Sequence, residues 1–211
     1  MLSAFASGEG TESSLFVWGA PGAGKTHLLR GAVAAAADRG IAAGYYAQSS
    51  LIDAGARDSD AAFVAVDGVD EADAAAAARL FTLYNALKQR GGRVLAASRT
   101  PLAALSLRED LRTRLGWGLV YEVLPLADDE KAAALATYAR QRGFELSPEV
   151  VDYVLKHGRR DMPSLLAMLS AVDRFSLASK RAVTVPLLKE WLQRNSGWRA
   201  PTETGSGEKS S

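Results

Sequence analysis

Gly19-Ala20-Pro21-Gly22-Ala23-Gly24-Lys25-Thr26 satisfies the pattern G-x-x-x-x-G-K-[ST] at every defined position. Each residue type has a chemical task. The glycines let the backbone wrap with its N–H groups turned toward phosphate oxygens, an approach that a Cβ would obstruct. The Lys25 ammonium can reach the outer phosphates, and the Thr26 hydroxyl can ligate Mg²⁺. His27 follows at the helix start and is counted with the loop. The expected ligand is a nucleoside diphosphate or triphosphate with Mg²⁺. The loop touches groups common to ADP and ATP, so either fits. The competing reading is a glycine-rich turn that happens to contain Lys-Thr.

A second candidate lies at Ala61-Ala62-Phe63-Val64-Ala65-Val66-Asp67, an apolar run ending in a carboxylate. Beside a phosphate loop, Asp67 at a strand end is expected to hold Mg²⁺ directly or through water. The alternative is a strand-terminal Asp capping a turn. Sites of this class usually carry a second acid directly after that Asp to activate water, and here the position is Gly68. Asp70 and Glu71 are close in sequence, and slow hydrolysis is expected. Ser98 ends another apolar run and either approaches the terminal phosphate or simply closes a strand. From Lys88 to Arg114 seven basic residues (Lys88, Arg90, Arg93, Arg99, Arg108, Arg112, Arg114) face two acids, Glu109 and Asp110. This is either a solvated face or a surface acting on a partner.

These groups need a scaffold, and the pattern supplies one. Leu15 to Trp18 reads as a buried parallel strand running into the loop. Leu28, Leu29, Ala32, Val33 and Ala36 then recur at helical spacing until Gly40. Further strands are read at 42–47, 61–67, 93–98 and 119–124, with a helix over 74–90 carrying Leu80, Phe81, Tyr84 and Leu87 on one face. Pro125 marks a change of character. Beyond it four helices are read: from Asp128 or Asp129 as cap to about Arg140, from Ser147-Pro148 to about Lys156, over 162–178, and from Pro186 to about Arg194. The expectation is an α/β nucleotide-binding domain over 1–125 with a parallel sheet between helices. A small all-α domain over 126–195 and a disordered, Gly/Ser-rich tail over 196–211 follow. Residues 1–14 read mostly as loop, and 48–60 as a surface connection.

Bulk composition narrows the classes. A net charge of +1 argues against strong non-specific nucleic-acid binding. There is no cysteine, hence no disulfide framework, and His27 and His157 are too few for a histidine-rich metal site. No run of about 18 apolar residues is present. The expectation is a soluble cytoplasmic protein without a membrane partner.

A phosphate-loop sheet domain followed by a small helical domain resembles the AAA+ class of ATPases. Leu80-Phe81-Thr82-Leu83-Tyr84-Asn85, Ala97-Ser98-Arg99-Thr100-Pro101 and Leu111-Arg112-Thr113-Arg114-Leu115-Gly116-Trp117-Gly118-Leu119 together resemble the ATPase domain of the replication initiator DnaA. The resemblance covers about residues 14–194, and Arg114 to Leu119 is its most specific part. It implies that Gly19 to Thr26 form the nucleotide loop, that Asp67 is the Mg²⁺ aspartate and that Ser98 is the sensor of the fourth core strand. It implies that Arg114 is an arginine finger reaching a nucleotide on a neighbouring subunit; the alternative is a surface arginine on a loop. The chain stops after the fourth helix of the second domain, without the initiator's DNA-binding domain, and so is similar to the shorter regulatory members of the family. Such members, with ADP bound and with the sliding clamp loaded on DNA, stimulate hydrolysis of ATP held by DnaA. DnaA, the loaded clamp and a second copy of the chain are therefore the expected partners, with no sequence-specific DNA contact. Three departures stand out: Gly68, Pro163 where the family carries an arginine, and no clamp-binding peptide within residues 1–14. A loader-type ATPase, a transposition helper and an initiator fragment are the alternative readings, with a small-molecule kinase further off.

Overall fold

The structure, a computed structural model, describes residues 5, 6, 8, 11–52, 61–159 and 161–195. The expectations for the tail over 196–211, for Arg160, and for most of 1–10 and 53–60 lie outside the described residues. The chain divides between Pro125 and Leu126 into two compact units.

The first unit is an α/β layer structure built on β1 (Ser14–Trp18), α1 (Lys25–Ala37), β2 (Ala43–Tyr46), β3 (Phe63–Val66), α2 (Ala74–Gln89), β4 (Arg93–Ser98), α3 (Glu109–Gly116) and β5 (Leu119–Glu122). All strand pairings are parallel, in the order β2-β3-β4-β1-β5. Alternation along each strand divides the side chains between two faces. Phe16, Val64, Val66, Val94 and Ala96 pack with Leu80, Tyr84 and Leu87 of α2 and Leu111 and Leu115 of α3. Leu15, Val17, Phe63, Ala65, Leu95 and Ala97 pack on the other face with Leu29, Ala32 and Ala36 of α1. Phe5 joins that second face, edge-on to Phe63. The sheet is thus enclosed by helices, as an all-parallel sheet requires. This is the α/β AAA+ fold expected from the sequence.

The carboxyl ends of β1, β4 and β3 stand side by side, because β4 lies between the other two. Register makes this concrete, with Trp18 opposite Ser98 and Val66 opposite Ala96. The turns that follow these strands therefore form one rim, at the crevice where ligands bind in open parallel sheets.

The second unit comprises α4 (Asp128–Gln141), α5 (Pro148–His157), α6 (Met162–Ser179) and α7 (Val185–Arg194). Its core gathers Leu135, Val150, Val154, Leu165, Leu169, Val172, Leu187 and Trp191. Asp161 and Thr184 accept from Ser164 N and Leu187 N, at 2.9 and 3.4 Å, and so cap α6 and α7. The cap of α4 differs from expectation: it is Ala127, not Asp128 or Asp129. Both aspartates fall instead in the first turn, where the helix dipole favours acid, and Glu130 accepts the Ala127 N–H at 2.8 Å. Among the described residues no helix is long and apolar enough to cross a membrane.

Candidate nucleotide site

The loop from Gly19 to Thr26 joins β1 to α1, as strand, turn and helix. Gly19 N donates to Ser98 O at 3.2 Å, which ties the loop to the end of β4. A Cβ on Gly19 would lie 2.2 Å from Val123 O, so only glycine fits beneath the end of β5. Gly24 caps α1 at φ +98°, a left-handed conformation that other residues resist. Ala20, Pro21 and Gly22 are exposed, Ala23 is buried, and His27 is exposed on the first turn of α1. That turn holds no acid, so the positive end of the helix and its N–H groups are left to an anion.

Lys25 is buried, and its ammonium donates to Gly19 O at 2.7 Å and Ala20 O at 3.0 Å. Burial pulls its pKa down, against the attraction of Asp67 and Asp70, and Arg99 pulls in the same direction as burial. Asp67 follows β3 and gathers the loop's other functional group. Thr26 Oγ1 donates to Asp67 Oδ2 at 2.5 Å, Tyr45 OH donates to the same oxygen at 3.5 Å, and Gly68 N donates to Oδ1 at 3.0 Å. A hydroxyl and a carboxylate oxygen thus converge. That hard-oxygen pair suits Mg²⁺, which takes few protein ligands and completes its shell with water and phosphate. No group of three or more His, Cys, Asp or Glu side chains fit to hold a metal occurs among the described residues. Any such ion would depend on the nucleotide for its remaining ligands.

Ser98 ends β4 within this rim, but its hydroxyl serves its own turn. It donates to Thr100 O at 2.8 Å and accepts from Thr100 N at 3.0 Å. The next residue faces the crest of β3. Arg99 Nε donates to Asp70 Oδ2 at 2.6 Å, its backbone N–H donates to Asp70 Oδ1 at 3.0 Å, and its NH2 group lies 2.8 Å from Glu71 Oε1. Burial raises the Asp70 carboxyl, but the bonds from Arg99 outweigh it and hold the pKa below the usual carboxylate range. Tyr45 and Arg99 were not singled out as site residues from the sequence. The signal available for both was position alone, at the carboxyl end of a parallel strand.

Arg114 stands elsewhere. Its carbonyl accepts from Ser14 Oγ at 3.3 Å, at the amino end of β1, whereas the loop leaves the carboxyl end. The four steps from Ser14 to Trp18 separate the two ends by about 13 Å. The guanidinium donates from Nε to Asn85 Oδ1 at 3.0 Å and from NH1 to Asp110 O at 3.1 Å. It also lies over the Phe81 ring, 4.3 Å from its centroid. Trp117 is 55% exposed, with Lys88 4.2 Å above its ring. Within the basic run, Arg93 donates to Gly8 O and Arg108 pairs with Asp110. In the helical unit Pro163 occupies the second position of α6, and the neighbouring Arg159 pairs with Asp161 at 3.2 Å.

Sheet order, loop and enclosing helices define an α/β AAA+ fold, and known proteins of that fold resemble it. Residues 128–192 match the model of the Hda lid domain. Domain III of the Thermotoga maritima replication initiation protein DnaA superposes with a TM-score of 0.79 at 19% identity, covering 95% of this chain and 90% of that one. AMPPCP-bound DnaA from Aquifex aeolicus gives 0.66 at 19% identity, over 82% of this chain and 58% of that one. The P216G mutant of RuvB from Thermotoga maritima gives 0.69 at 14% identity, over 92% and 67%. The helical unit thus matches the Hda lid domain, and the chain as a whole shares the fold of DnaA domain III. It spans little more than half the length of the Aquifex DnaA chain.

Proposed function

We propose that this chain is a regulatory AAA+ module of replication initiation. It binds ADP or ATP with Mg²⁺ at Gly19 to Thr26 and offers Arg114 in trans to ATP held by DnaA, promoting hydrolysis there. Residues 1–125 are the nucleotide-binding base and 126–195 the lid. The protein works in the cytoplasm, with DnaA and the DNA-loaded sliding clamp as its partners.

One observation carries the reading: Arg114 and the phosphate loop belong to opposite ends of β1. An arginine so far from its own loop has no short route to the nucleotide in cis, whereas a neighbouring subunit can meet it. A trans guanidinium neutralises charge on the transferring phosphoryl group and is worth roughly 10³–10⁵ in rate where such fingers operate. The lid match and the AMPPCP carried by Aquifex DnaA support nucleotide binding and the choice of partner. Within the site Lys25 takes the outer phosphates, Thr26 and Asp67 hold Mg²⁺, and Ser98 keeps the crest of β4 in place as the sensor strand.

The test is Arg114→Ala. The variant is expected to bind nucleotide as the parent does and to lose at least about a hundredfold of its stimulation of DnaA-bound ATP hydrolysis. Full stimulation by a nucleotide-binding Arg114→Ala protein would overturn the reading.

A further inference from the structure

Gly68 is more than a missing carboxylate. It sits at φ +62° and ψ +39° and opens the 3₁₀ turn Val69–Glu71. A Cβ there meets only Glu71 Oε2, at 3.9 Å, so the constraint is backbone conformation and not space. That turn swings the next two acids toward the end of β4, where Arg99 receives them. Both oxygens of Asp70 are taken, one by the Arg99 backbone N–H and one by Nε, and Glu71 occupies another guanidinium nitrogen. The Asp70 side chain is only 9% exposed, while that of Arg99 is 52% exposed. The carboxylate is enclosed, and its jailer faces solvent.

The surroundings tie this pair to the nucleotide site. Arg99 follows Ser98, whose carbonyl anchors Gly19 N of the phosphate loop. Asp70 lies three residues beyond Asp67 on the same crest. Both Asp70 and Arg99 act electrostatically on the Lys25 ammonium. The rim therefore holds, besides Asp67, a second enclosed carboxylate within the field of the phosphate-binding lysine.

We infer that Arg99 is a brake on hydrolysis in this chain's own site, holding Asp70 out of the role of general base for water attack on a bound nucleoside triphosphate. The inference rests on the nucleotide-binding role given to Gly19 to Thr26, and it explains how that site keeps its nucleotide while Arg114 acts on another. Once released, Asp70 accepts a proton from water as the water oxygen bonds to the γ-phosphorus. The bond from the γ-phosphorus to the β–γ bridging oxygen breaks in the same step, and its electron pair leaves with the nucleoside diphosphate. Arg99 is thus a positioning residue, acting only through Asp70. The guanidinium holds two acids at once, Nε on Asp70 and NH2 on Glu71, a spread that a single ammonium does not match.

The experiment measures steady-state ATP turnover by the full chain alone, without DnaA, beside its affinity for a fluorescent ATP analogue. Arg99→Gln is expected to raise turnover roughly tenfold or more, within the range that general-base catalysis supplies, with affinity held within about threefold. Adding Asp70→Asn to Arg99→Gln is expected to return turnover to the parental level. Arg99→Lys, which keeps one charge but cannot span both acids, is expected to give an intermediate gain. It decides the matter should Arg99→Gln fail to bind nucleotide. Unchanged or reduced turnover in a nucleotide-binding Arg99 variant would overturn the inference, as would a gain that survives Asp70→Asn. Stimulation of DnaA by the same variants is read separately. If it persists while basal turnover stays flat, the brake is refuted and the trans role of Arg114 stands.

Discussion

At the scale of single residues, the site is a balance between burial and charge. Lys25 is buried, which disfavours its charge, and Asp67 and Asp70 sustain it. Phosphate oxygens would replace the two backbone carbonyls it now meets and supply charge-assisted bonds, each worth about 1.5–3 kcal/mol. Lys25→Ala is accordingly expected to weaken nucleotide binding roughly tenfold to a hundredfold, as a titration with a fluorescent nucleotide would reveal. Asp70 carries a pH signature. Its folded-state pKa is depressed, so the unfolded chain binds the proton more tightly. The stability that it contributes is present above the ordinary carboxylate value of about 3.9 and is lost as pH falls from there through the folded value. Asp70→Asn should flatten the fall in urea midpoint between about pH 5 and pH 3. An unaltered fall would mean that the Arg99 pair is not formed in solution. The strand, turn and helix around Gly19 to Thr26 were legible from the sequence because the pattern there dictates residue types. The pairing of Arg99 with Asp70 was not, because it depends on the sign of φ at Gly68, which no periodicity records.

At the scale of elements, strands β1, β3 and β4 were readable because burial on both faces leaves continuous apolar runs. Helix α3 was hidden. It buries only Leu111 and Leu115, one turn apart, and four of its other six positions are acids or arginines, so the segment reads as a charge run. Its junction with β5 brings two backbones close together: a Cβ on Gly118 would lie 1.8 Å from Ser14 O. Gly118→Ala must push β5 away from β1, and a loss of about 1–3 kcal/mol is expected from overpacking of this kind. Gly31, inside α1 with nothing within 4 Å of an added Cβ, provides the contrast. Gly31→Ala should raise stability by about 0.5–1 kcal/mol. Denaturant midpoints that move the same way for both substitutions would contradict this assignment of close and open positions.

At the scale of the whole molecule, the two units have separate cores, one on each face of the sheet in the first and one among four helices in the second. Leu169 is fully buried in the helical core. Leu169→Ala should cost about 2–5 kcal/mol there and reduce hydrogen-exchange protection in α4 to α7 more than in β1, β3 and β4. The helical unit was legible from its start signals, Ser147-Pro148 and Pro186, whereas the separation of Arg114 from the loop emerged only from its contact with Ser14 at the amino end of β1. The proposed action on a partner's nucleotide rests on that separation, and one measurement tests it most directly. ATP would be loaded on DnaA alone, and its hydrolysis followed with this protein, ADP and DNA-loaded clamp, each omitted in turn. Hydrolysis of DnaA's ATP that accelerates only when all are present, by at least about a hundredfold over DnaA alone, is the predicted result. No acceleration of DnaA's ATP, alongside brisk turnover by this chain alone, would contradict it and favour a self-sufficient, loader-type ATPase.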